Sequence, residues 1–154
     1  MNIQEFKKVL LNIIKWNEEK ISSENNYDLL NKQLLDVYQF VFKITYIFDE
    51  KDYNNYDRKI NKKSWNNIQN NFPEFQQYNV TKDVSVNISN TELLIGDPID
   101  DLNDIINDFK EVIWCLENTS ENDALWYFMF GYESHWGKHL SDLLYYLYNS
   151  KFGL

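Results

Sequence analysis

Four stretches of this chain repeat apolar residues at intervals of three and four, and that rhythm leaves little freedom in its fold class. Ile3, Phe6, Leu10 and Ile13 make the first stripe. Tyr27, Leu30, Leu34, Val37, Val41, Ile44 and Phe48 make the second. Ile99, Leu102, Ile106, Phe109, Ile113 and Leu116 make the third, and Leu125, Met129, Tyr132, Trp136, Leu140, Leu143 and Leu147 the fourth. Such spacing lays one apolar face along each helix, and that face must be covered. Four faces can cover one another, so the expected fold is all-α: an antiparallel four-helix bundle forming one domain over residues 1–154.

Helix-start signals support this division. Ser22-Ser23-Glu24 offers a hydroxyl cap to the second helix. Asp97-Pro98 opens the third, with an aspartate for the free amides and a proline where no partner is lost. Ser120-Glu121-Asn122-Asp123 resembles a capping box before the fourth. Residues 49–96 break the rhythm and read as a long irregular crossover between the second and third helices. A short helix is expected over 64–71, with Trp65 and Ile68 inward. Val84, Val86 and Ile88 alternate with polar residues like an extended segment. A single strand cannot make a sheet, so the segment is expected to lie extended on the bundle.

Composition excludes several functions. The chain of 154 residues carries a net charge of −9. Phosphate backbones and anionic membrane surfaces are therefore disfavoured partners. Cys115 is the one cysteine, which rules out an intrachain disulfide and a multi-cysteine zinc site. No apolar run reaches the roughly 18 residues of a membrane span, and no signal peptide is apparent, so a cytoplasmic protein is expected. No glycine-rich phosphate loop is present.

The charge is concentrated. Ten acidic residues and one base, Lys110, lie between Asp97 and Glu133, so this stretch carries the whole net charge. Asp97, Asp100, Asp101, Asp104, Asp108 and Glu111 share one face of the third helix. Like charges at such spacing cost about 0.2–0.5 kcal/mol per pair. The face is either simply solvated or an interaction surface for a basic protein partner, or some of its carboxylates turn inward.

Both histidines, His135 and His139, lie four apart on the last helix, with Asp142 on the same arc. Two imidazoles at that spacing present their nitrogens to one side, and carboxylates of a facing helix can complete a metal shell. Asp142, or an aspartate from among Asp101, Asp104 and Asp108, is the candidate carboxylate, with a divalent metal as the implied cofactor. The same residues could instead lock two helices by ion pairing. Counting from the turn near Thr119 at 1.5 Å per residue puts His135 level with Asp104, and His139 level with Asp101. Trp136 and Gly137 read as a structural motif between them.

The segments IGDPIDDLNDIINDFKEVIWCL and ALWYFMFGYESHWGKHLSDLLYYL resemble the bacterial domain of unknown function 5063 family. Its pattern is DDLxDIYxDL followed by HWGxHxxxAL. Asp100, Asp101, Leu102, Asp104, Ile105 and Asp108 match the first; His135, Trp136, Gly137, His139 and Leu144 match the second. Ile106, Phe109 and Leu143 depart from it. The resemblance implies that the two motifs belong together, and it implies no activity. No catalytic residue is assigned. The functional expectation is a non-catalytic interaction or immunity-like regulatory protein using its acidic face. The alternative is a metal-binding bundle, a hydrolase or oxidoreductase.

Overall fold

The computed structural model describes residues 2–59, 62–84, 87 and 91–153. Helices α1 (Ile3–Glu18) and α2 (Asn26–Val41) form an antiparallel pair, followed by α3 (Lys62–Asn71). Strands β1 (Tyr78–Thr81) and β2 (Leu93–Gly96) come next. Helices α4 (Pro98–Asn118), α5 (Glu121–Gly131) and α6 (Gly137–Phe152) complete the chain, with a π-helical turn, Tyr132–Trp136, joining α5 to α6.

The stripes do what their spacing demands. Phe6, Leu10, Ile13, Leu30, Leu34, Val37, Leu102, Ile106, Phe109, Trp136, Leu140 and Leu143 are all fully buried. Helix α1 packs on α2 and α4, and α6 packs on α4 and α2, so these four close a ring around one core. Asn2, Asn25, Asp97 and Ser120 cap α1, α2, α4 and α5 through their side chains. At α2 the cap is Asn25, not the preceding serines.

Three expectations need correction. First, four helices do not suffice: α3 packs against both α1 and α4. Ile68 is its buried anchor, whereas Trp65 is 39% exposed. Buried Asn71 ties α3 to the α1–α2 turn, donating to the carbonyls of Trp16 and Glu19 and accepting from the Ile21 amide. Second, α2 ends at Val41. The stripe continued to Phe48 on paper, but Ile44-Thr45-Tyr46-Ile47 is a β-branched and aromatic run that favours helix poorly. Asn122 takes the Ile47 amide instead, and Phe48 is largely exposed against Trp126.

Third, the crossover is not wholly irregular. β1 and β2 pair antiparallel, with Tyr78 opposite Gly96 and Thr81 opposite Leu93. The alternation expected at Val84, Val86 and Ile88 did not locate this pair. Val84 is fully exposed outside any strand, and Val86 and Ile88 lie outside the described residues. Residues 42–59 hold no helix or strand beyond the end of α2, yet side chains pin them to the α4–α5 hairpin. Asp49 accepts from Ser120 and Tyr53, and Tyr56 leans on Trp114.

Candidate metal centre

Capping by Asp97 and proline at Pro98 start α4 so that Asp101, Asp104 and Asp108 rise one turn apart along it. The short turn at Thr119–Ser120 then returns the chain antiparallel. Interruption of this return by the π turn sets where the histidines stand. Gly137 allows the turn: a Cβ there would lie 2.2 Å from the Tyr132 carbonyl oxygen. Trp136, fully buried, donates its Nε1–H to the Phe128 carbonyl at 3.1 Å and packs edge-on to Phe109. The side chain between the two histidines is thus the wedge that fixes them.

His139 Nδ1 lies 2.7 Å from Asp101 Oδ1, and His135 Nδ1 lies 2.7 Å from Asp108 Oδ2. An ionised carboxylate only accepts, so each Nδ1 is the donor, and each Nε2 faces the other way. Both Nε2 atoms turn to the same carboxylate. His139 Nε2 is 3.6 Å and His135 Nε2 is 3.9 Å from Asp104 Oδ2. One atom from each of these three side chains falls within 4.8 Å of the others.

Those separations are too long for hydrogen bonds. The two distances to Asp104 are near what a central ion needs. Ligand bonds of about 2.0–2.2 Å at tetrahedral angles put donor atoms roughly 3.3–3.5 Å apart. A carboxylate on the far nitrogen of each imidazole is also the usual support of a metal-bound histidine, fixing its tautomer and raising its basicity.

A further layer comes from the crossover. Tyr78 donates its hydroxyl to Asp101 Oδ2 at 2.6 Å. Burial, then the bond to Asp101, pushes that phenol well above its ordinary range. Gly96 makes the contact possible, because a Cβ there would lie 2.5 Å from the Tyr78 ring. Arg58 Nη2 bonds Asp108 Oδ1 at 2.6 Å and Glu111 Oε2 at 2.9 Å. His139 is held above its ordinary value of 6.5 by its bond to Asp101, which outweighs burial. Burial, and then the charges of Asp104 and Asp101, raise Asp100.

The sequence candidates divide accordingly. Asp101, Asp104, His135 and His139 come together. Asp142 does not join them: it pairs with Lys138 at 2.7 Å, one turn away on its own helix. Asp97 is spent as a cap, and Asp101, Asp108 and Glu111 on partners within the chain. The six acidic residues therefore do not form a fully solvated face: each is at least partly buried. His135 lies between two carboxylates of α4 and not squarely opposite Asp104 as straight α counting gives. Its close partner is Asp108, with Asp104 beyond. Sequence reasoning missed Tyr78 and Arg58 as members of the site. Arg58 carried one signal, being the sole arginine of the chain. Tyr78 carried none until its strand partner was known.

Fold and site together define a helical protein with a histidine–carboxylate cluster between two antiparallel helices. The profile of the domain of unknown function 5063 family matches residues 42–152, and the chain belongs to that family. Its fold is similar to the crystal structure of protein BF1032 from Bacteroides fragilis, with a TM-score of 0.70 and 18% identity. That likeness covers 99% of this chain and 93% of the other. No curated protein matches the chain. Among the described residues no helix is long and apolar enough to cross a membrane.

Proposed function

We propose that the protein binds a divalent transition-metal ion through His135 Nε2, His139 Nε2 and Asp104. One observation carries this reading. Each imidazole gives its Nδ1 to its own carboxylate, while both Nε2 atoms converge on a third carboxylate that hydrogen-bonds to neither. Helix locking alone needs only the two Nδ1 bonds. It gives no reason for Asp104 to stand across a gap from two nitrogens.

Two imidazoles and one carboxylate suit Zn2+ or Fe2+, and three protein ligands leave coordination positions for water. The side chains of His135, Asp104 and His139 are 43%, 30% and 25% exposed, so the open side of the ion faces solvent. A metal held this way can act as a Lewis acid on its bound water.

Titration with Zn2+, and with Co2+ as a spectroscopic probe, tests the proposal. At one hundred times its dissociation constant a ligand adds about 2.7 kcal/mol to stability. That corresponds to a rise in Tm of about 5–10 °C for a chain of this size. His139→Ala should abolish the rise and the Co2+ absorption bands. Wild-type protein that neither gains stability nor shows those bands would refute the reading.

A further inference from the structure

The two imidazoles are supported alike in their first contact and differently in their second. Behind His139 stands Asp101, and behind Asp101 the neutral hydroxyl of Tyr78. Behind His135 stands Asp108, and behind Asp108 the guanidinium of Arg58. Both outer donors come from the crossover, one from its hairpin and one from its loop. A hydroxyl leaves the full negative charge of its carboxylate available to the imidazole. A guanidinium, shared here between Asp108 and Glu111, cancels part of it.

We propose that Arg58 is a positioning residue that weakens metal binding at this centre by acting through Asp108 on His135. The inference rests on the metal-binding reading above. Three features of the geometry support it. Arg58 binds the carboxylate oxygen opposite the one that holds His135, so the two compete for the same charge. Asp108 is 12% exposed, so solvent screens that competition poorly. Among the described residues, the other ion pairs of Asp101, Asp104 and Asp108 are with the two histidines, His135 and His139, so Arg58 brings the permanent positive charge to this cluster.

The consequence is an asymmetric centre. His139 and Asp104 are its strong ligands. His135, 43% exposed and backed by a partly neutralised carboxylate, is the weak one and the first to release the ion. Metal loading is then set by a charge on a loop with no helix or strand of its own, about fifty residues away in sequence.

Co2+ affinity of wild type, Arg58→Gln, Arg58→Lys and Lys151→Gln, measured by competition with a chromophoric chelator, tests this. Arg58→Gln keeps a hydrogen-bond donor and removes the charge. It should bind Co2+ about tenfold more tightly, with the ligand-field bands unchanged because the ligands are the same. Arg58→Lys should return the affinity to near wild type. Lys151→Gln removes an equal charge whose partner is Asp28, and should change nothing. Arg58→Gln binding Co2+ as wild type does, or more weakly, would overturn the proposal while leaving the centre in place. Wild-type protein that binds no Co2+ would overturn the centre itself, and this inference with it.

Discussion

Replacing Asp101 by asparagine keeps the shape of the side chain, removes its charge and exchanges one acceptor oxygen for an NH2, to which the Tyr78 hydroxyl can turn as acceptor while His139 keeps the remaining oxygen. Asp101 is 6% exposed and holds His139 at 2.7 Å and Tyr78 at 2.6 Å. A hydrogen bond to a charged group contributes about 1.5–3 kcal/mol and a neutral one about 0.5–1.5, so two bonds lose roughly 2–3 kcal/mol together. Relief of the buried charge offsets part of that. The expected net cost is about 1–2 kcal/mol, read by urea unfolding with chelator present. The cost must depend on pH. Asp101 raises the folded pKa of His139 above its unfolded value of 6.5. A raised histidine contributes stability that is complete below the unfolded value and is lost as pH rises through the folded one. Asp101→Asn removes the raise, so the gap between variant and wild type should be widest in mild acid and narrow as pH rises. A gap that stays constant or widens toward alkaline pH would refute the assignment of His139 as the partner.

Three further outcomes follow from the packing. Trp136→Ala empties a fully buried position between the histidines and should cost about 3–5 kcal/mol in denaturant unfolding. Gly96→Ala places a Cβ where the Tyr78 ring lies, so it should separate Tyr78 from Asp101 and lower Co2+ affinity several-fold, measured by competition, with little change in helical circular dichroism. Because a metal on Nε2 displaces the Nε2 proton of the imidazolium and leaves the Nδ1–H on Asp101, Zn2+ affinity by calorimetry should rise with pH across the histidine titration and proton release should accompany binding.

Helix existence was legible because burial imposes a period, and a period survives in sequence. The stripes of α1, α4 and α6 are buried as their spacing required. Pairing of His139 with Asp101 was legible too, since a short turn and a constant rise per residue fix which positions stand level. What failed depended on partners far along the chain. Ile44 to Phe48 kept the helical spacing, but Asn122 supplied the Ile47 amide with a different bond. Tyr78 is ordinary in sequence, and its meaning arises only from lying across Gly96. Arg58 is separated from Asp108 by fifty positions, and no local pattern links them.

The preference of His135 for Asp108 over Asp104 has a local contributor. A straight α-helix from Ser120 would bring His135 level with Asp104 and leave Asp108 facing the loop side. The π turn at Tyr132–Trp136 fits an extra residue into its turn, so the chain climbs less by the time it reaches His135. The result is that His135 and His139 bracket Asp104 instead of one of them facing it squarely. Each then takes a different outer carboxylate, Asp108 below and Asp101 above, and both keep Asp104 in reach. Gly131 and Gly137 flank that turn, and a Cβ at either would strike Trp136 or Tyr132. Two glycines inside a helix cost about 1 kcal/mol each relative to alanine. Here that cost maintains an irregular turn whose one evident product is the convergence of two imidazoles on a single carboxylate.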